Sequence, residues 1–128
     1  LSGIDVRLMI PEHSDTKVVQ LATRSYLDDV LLAGVKVYVY RKRFLHSKLM
    51  VSDDTLCTIG STNMDFRSFE HNFEINAFIY DAQTSVQVRN IFLEDQKYCR
   101  RISLRRWRRR PWYKRIKESV VRLLAPLL

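Results

Sequence analysis

An imidazole and an ammonium group stand two residues apart at His46 and Lys48, followed by Gly60-Ser61-Thr62-Asn63 and then by Glu74. An imidazole near neutrality is a usable nucleophile or general acid and base. A neighbouring ammonium supplies a positive clamp suited to a phosphoryl oxygen. Ser61 offers a hydroxyl behind Gly60, and Asn63 offers amide donors, so both can hold the same anion from a loop. A carboxylate such as Glu74 can orient an imidazole and stabilise its protonated form. No cysteine–histidine metal spacing and no glycine-rich phosphate loop accompany them. An isolated His-x-Lys would ordinarily be solvated decoration on a strand face; Asp53, Gly60-Ser61, Asn63 and Glu74 at fixed spacing carry the weight.

These residues need a scaffold, and hydropathy patterning outlines one. Residues 4–10, IDVRLMI, alternate as a strand that Pro11 ends. Asp15 is positioned to cap a helix over about 17–33, with Val18, Leu21, Ala22, Ser25, Val30 and Ala33 near one stripe and Gly34 as the stop. Residues 35–40, VKVYVY, form a second strand, so the three elements predict a βαβ crossover with a parallel pair. A third strand over 45–51, a turn at Ser52-Asp53-Asp54, a fourth strand over 55–60 and a fifth over 72–81 follow. In strands, residues two apart share a face. His46 and Lys48 are thus expected to project together, as are Asn72, Glu74 and Asn76. A helix over about 84–98, with Val88, Ile91, Phe92 and Asp95 near one face, completes a mixed β-sheet flanked by helices, an α/β sandwich.

The run His46-x-Lys48-(x)4-Asp53-(x)6-Gly60-Ser61-x-Asn63 resembles the HKD signature of the phospholipase D superfamily. The extension NMDFRSFEHNFEINAFIYD, the upstream IDVRLMIP and RSYLDDVLLAGVKVYVY, and the closing ESVVRLLAPLL are similar to the C-terminal catalytic half of bacterial cardiolipin synthases. The resemblance implies a phospholipase D-like α/β sandwich and a phosphodiester transfer that uses no metal or cofactor. One His attacks phosphorus to give a phosphohistidine, a second His protonates the leaving alcohol, and an incoming hydroxyl reverses the process. On this resemblance Lys48, Ser61 and Asn63 hold phosphate oxygens, Glu74 hydrogen-bonds the His, and Asp53 belongs to the motif as a turn residue. The family's site uses two HKD motifs and this chain carries one, so a second half is expected, either in the same full-length chain or from a homodimer partner. The resemblance leaves open whether His46 is nucleophile or acid. It implies phosphatidylglycerol as substrate and a cell-membrane location with the catalytic domain facing the cytoplasm. A homodimeric phosphodiesterase acting on nucleic acid is the alternative.

Composition bounds the remainder. The 128 residues suit one domain, and the opening Leu1-Ser2 reads as a piece of something longer. Cys57 and Cys99 lie far apart, which points away from a disulfide framework, and Cys57 alternates with strand core residues. Residues 1–96 hold 10 Lys and Arg against 13 Asp and Glu, a balance of −3, whereas residues 97–128 hold 12 against one, a balance of +11. We therefore divide the chain into a catalytic half-domain, 1–96, and a basic amphipathic segment, 97–128. In that segment Trp107, Trp112 and Tyr113 are interleaved with arginines before Ile116, Val120, Leu123 and Leu124 at helical spacing. Such a pattern suits an anionic membrane surface, with nucleic acid phosphates or docking of the leucines on the domain as competing readings. His13 and His71 read as ordinary loop histidines, and Arg67 as either a phosphate ligand or an ion-pair partner.

Overall fold

The computed structural model describes residues 3–14 and 16–124, without the side chains of Lys17, Phe66, Arg67, Lys114, Arg115, Leu123 and Leu124. The elements run β1 (Arg7–Pro11), α1 (Lys17–Leu32), β2 (Lys36–Tyr40), β3 (Leu49–Ser52), β4 (Leu56–Gly60), α2 (Phe66–Glu70), β5 (Asn76–Ile79), α3 (Ala82–Gln96), β6 (Cys99–Arg101), α4 (Leu104–Arg108) and α5 (Trp112–Leu124). They form two compact units: residues up to Leu45 with those from Cys99 onward, and His46–Tyr98. The expected α/β content is present as two three-stranded sheets flanked by helices.

In the first unit β1 and β2 pair in parallel, Arg7 opposite Lys36 through Pro11 opposite Tyr40, with α1 as the crossover. Thr16 caps α1, its hydroxyl accepting the Val19 N–H at 3.2 Å; Asp15, the expected cap, lies outside the described residues. The helix ends as expected at Gly34, whose φ of 89° lets its N–H reach the Leu31 carbonyl at 3.2 Å and the Val35 N–H reach that of Val30 at 3.2 Å. The inward stripe differs from the expected one. Leu27, Leu31 and Val37 are buried together with Trp107 of α4, whereas Val18 and Ala33 are exposed. Each such aliphatic side chain, taken fully out of water, contributes about 1.5–3 kcal/mol. Strand β6 adds to β2 antiparallel, Tyr38 opposite Arg101 and Tyr40 opposite Cys99, so the chain beyond residue 96 is part of this sheet.

The basic segment corrects one expectation. Trp107, read as a headgroup-level aromatic, is 7% exposed and belongs to the core. The Arg110 guanidinium stacks over it at 3.3 Å from the ring centroid. Helix α5 docks on α1, with ion pairs in the interface. Arg110 bridges Glu118 at 2.9 Å and Asp28 at 3.3 Å, and Arg122 of α5 meets Asp29 at 2.8 Å. Glu118 is 5% exposed while Ile116 and Val120 face outward; the Leu123 and Leu124 side chains lie outside the described residues. Docking of the leucines was one of the competing readings; among the described side chains the interface holds a buried carboxylate with its charged partners in place. Burial pulls the Arg110 pKa below its ordinary value, opposed by the attraction of Glu118 and Asp28.

In the second unit β3, β4 and β5 form an antiparallel sheet against which α3 packs. Cys57, Ser68, Ser85 and Val88 are buried in this unit, which gives Cys57 the packing role read from the sequence. Ile91, expected beside Val88, is exposed. Asp81 caps α3 by accepting the Thr84 N–H at 2.6 Å, and these hydrogen bonds from Thr84 lower its pKa. Asp65 does the same for α2, accepting the Ser68 N–H at 2.7 Å. Among the described residues no helix is long and apolar enough to cross a membrane.

Candidate functional site

The β3–β4 hairpin carries the site, and its turn sets the geometry. Asp53 and Asp54 occupy the two central turn positions with φ of 48° and 59°, and the Thr55 N–H closes the turn onto the Ser52 carbonyl at 3.2 Å. Two consecutive positive φ values make the tight reversal whose twist matches paired strands, and Asp tolerates them better than most residues. Asp54 is also ion-paired with Arg89 of α3, which ties the turn to the helix. From that turn the register runs Ser52 opposite Leu56 to Leu49 opposite Ile59, and the Gly60 N–H then reaches the Lys48 carbonyl at 3.1 Å. Lys48 and Gly60 are therefore cross-strand neighbours. The motif's spacings are those of a hairpin folded about Asp54.

Gly60 is required by proximity. A Cβ there would come within 2.7 Å of the Asn76 Cα and nearer still to the Ile75 carbonyl. The backbone of the β5 side thus passes where any other side chain would sit.

Beyond Gly60 the ladder changes character. The Ser61 N–H donates to the Ile75 carbonyl at 2.9 Å, and the Ile75 N–H donates to the Ser61 hydroxyl oxygen at 3.1 Å. The hydroxyl takes the acceptor role a strand carbonyl would have, and regular pairing of β5 begins only at Asn76. For that reason the expected strand over 72–81 shortens and Glu74 sits on the extended segment before it. The expected strand over 45–51 likewise begins at Leu49, because β4 ends at Gly60 and offers residues 45–47 no ladder partner. His46 is exposed on the lead-in to β3, and the Lys48 Nζ folds back to donate to the His46 carbonyl at 2.8 Å.

Glu74 is the best-held group of the set. Ser61 donates its hydroxyl proton to one carboxylate oxygen and the Asn72 amide donates to the other at 3.3 Å. Its pKa lies below the ordinary value, first because of Ser61, whose effect burial opposes, and then through lesser contributions of Asn72, the nearby Ser68 hydroxyl and the positive Lys48. The buried Ser68 hydroxyl lies close to this carboxylate without reaching hydrogen-bond geometry. Asn72 and Ser68 had no functional role in the sequence reading, although Asn72-x-Glu74 spacing was a usable signal.

The structure thus joins Ser61, Asn72 and Glu74 directly, puts Lys48 within electrostatic reach of Glu74, and ties Lys48 to His46 through the main chain. Asn63 is exposed in the loop between β4 and α2, and His71 is exposed just after α2. The Arg67 side chain lies outside the described residues. Among the described residues no group of three or more His, Cys, Asp or Glu could hold a metal ion.

A family model described as cardiolipin synthase, PLD-like domain, matches residues 1–96. The chain belongs to this family. The match ends where the basic segment begins. Cardiolipin synthase of Geobacillus thermodenitrificans is 52% identical over 128 residues, covering 100% of this chain and 26% of that protein. The major cardiolipin synthase ClsA of Bacillus subtilis is 47% identical over the whole chain, which covers 27% of it, and a Clostridium perfringens cardiolipin synthase is 43% identical with the same coverage. The chain therefore spans about a quarter of the length of these relatives. No solved structure matches it.

Proposed function

We propose that this chain supplies one HKD half of a membrane-associated phosphatidyltransferase that converts two phosphatidylglycerol molecules into cardiolipin and glycerol. The family match over residues 1–96, which contains the complete motif from His46 to Asn63, carries the reading. Residues 1–96 act as the catalytic half-domain, and 97–128 as a basic segment directed at anionic lipid.

The chemistry needs two imidazoles. One attacks phosphorus, forming a P–N bond as the P–O bond to glycerol breaks, and the other gives that alkoxide its proton. The hydroxyl of the second phosphatidylglycerol then attacks phosphorus, returns its proton to the second imidazole and releases the first. His46 supplies one imidazole; the other comes from a second half in the same full-length chain or from a homodimer partner. Lys48 spends one of three protons on the His46 carbonyl, which leaves two for a phosphoryl oxygen. Asn63 contributes amide donors from its loop. Ser61 has a single proton, given to Glu74, so phosphate binding by Ser61 requires the hydroxyl to exchange the carboxylate for the phosphoryl oxygen. Glu74 stays ionised near neutrality and is suited to steady an imidazolium. Asp53 supports the turn and touches no substrate.

The test is to incubate the full-length protein with phosphatidylglycerol in the presence of a chelator. Cardiolipin and glycerol should form in equal amounts, and His46→Ala should abolish both. Hydrolysis of nucleic acid with no lipid product would overturn the assignment in favour of a nuclease.

A further inference from the structure

Helix α5 presents an apolar stripe to solvent that neither the motif nor the core uses. Trp112, Ile116 and Val120, four residues apart, are 72%, 53% and 53% exposed, and Tyr113 beside them is 49% exposed. At 100° per residue the first three fall within an arc of about 80°, with buried Glu118 roughly opposite. The ion pairs of Glu118 and Arg122 therefore fix the helix with its apolar side outward. The Trp112 and Tyr113 rings meet edge to face at 6.5 Å, an aromatic pair at the start of the stripe. Immediately before it, Arg105, Arg106, Arg108 and Arg109 are exposed, and Lys117 is exposed within the helix.

Apolar side chains alone do not identify what covers them, but their setting in charge does. Residues 97–128 carry a net +11, with Glu118 as the one acid, and that acid is already neutralised inside the fold by Arg110. A protein surface of ordinary mixed charge would leave most of these arginines unmatched. A bilayer bearing anionic headgroups matches them together and accepts the stripe at the boundary of its acyl chains.

We propose that the outward stripe Trp112–Ile116–Val120, with Tyr113 and the arginines of residues 105–109, is an interfacial docking surface for an anionic lipid bilayer. The helix lies in the membrane plane, Trp112 sits at headgroup level, and the Glu118 face stays on the protein. This adds an anchoring surface to the catalytic reading and does not depend on turnover.

The 128-residue chain is mixed with vesicles of phosphatidylserine and phosphatidylcholine, and with phosphatidylcholine vesicles alone. Phosphatidylserine separates surface binding from capture of the substrate headgroup. Sedimentation with the anionic vesicles is expected, together with a blue shift of Trp112 emission and its quenching by brominated acyl chains, while the neutral vesicles bind at least about tenfold more weakly. I116E/V120E should weaken anionic binding at least about tenfold and remove the quenching, with an unchanged circular dichroism spectrum because both sites are exposed. His46→Ala should bind like the parent chain. Equal vesicle binding by I116E/V120E, with no Trp112 quenching in the parent, would overturn the proposal and leave only diffuse attraction by arginines. A parent chain that sediments as a dimer, turned monomeric by I116E/V120E with vesicle binding intact, would also overturn it and assign the stripe to a second copy.

Discussion

Replacing Glu118 by Ala tests the claim that a buried ion pair helps seat α5 on α1. The substitution removes the acceptors of two charge-assisted hydrogen bonds from Arg110, at 3.1 and 2.9 Å. Side-chain exposures of 11% for Arg110 and 7% for Glu118 put the pair well inside the surface. Breaking a buried pair from one side costs about 3–5 kcal/mol, because the remaining charge is left uncompensated. Asp28, 3.3 Å from Arg110, and the Trp107 ring face retain part of the compensation. The expected loss is therefore about 2–3 kcal/mol. For a chain of this length about 3–5 °C accompanies each kcal/mol, so the midpoint should fall by about 6–15 °C. Urea and thermal unfolding followed by tryptophan emission, in a Trp112→Phe background that leaves Trp107 as the sole indole, measure it. Combining Arg110→Met with Glu118→Leu should recover most of the loss, since two apolar residues of similar volume carry no desolvation penalty. A loss under about 0.5 kcal/mol for Glu118→Ala would refute the reasoning, because the pair would then be acting like one in open solvent.

Three further outcomes follow from named contacts. Gly60→Ala should cost at least about 2 kcal/mol by forcing the β4 and β5 backbones apart, read as faster hydrogen exchange at the Ser61 and Ile75 amides. Ser61→Ala should raise the Glu74 pKa toward its ordinary value of 4.5, as followed by carboxyl NMR; in the parent chain the depressed pKa means that Glu74's stabilising contribution is complete above about pH 4.5 and is lost as pH falls below it. Asp5, held at about 2 by hydrogen bonds from Arg7 and Lys36, should stabilise the start of the β1–β2 pair in full above about pH 4, with the contribution lost as pH falls toward 2; Asp5→Asn should remove that acid dependence from the stability profile.

The crossover, the hairpin and the long helix before residue 97 were legible because each rests on local signals: alternation, helical periodicity, a glycine stop and paired aspartates. The pairing of Lys48 with Gly60 was legible too, since the spacing between them is a hairpin's. What escaped depended on partners distant in sequence. Strand β6 is Cys-Arg-Arg, which has no strand signature of its own and forms because the edge of β2 is open to it. Trp107, placed among arginines, reads as an interfacial aromatic until the Leu27–Leu31 face supplies a core for it. The orientation of α5 stayed open in the sequence because amphipathic patterning identifies two faces without saying which turns inward; in the structure the face that carries Glu118 is the buried one. His46 and Lys48 were assigned to a strand that stops short of them, since the end of β4 is visible only once Ser61 is seen bonding to Ile75.

The hairpin about Asp54 acts as a ruler. With Lys48 and Gly60 facing each other six residues either side of the bend, inserting or deleting one residue in either arm would slide the ladder by a step and send the lysine through to the layer occupied by α3. A change of length between these two positions therefore breaks the alignment of Lys48 with Gly60, whereas one after Ser61 leaves it in place.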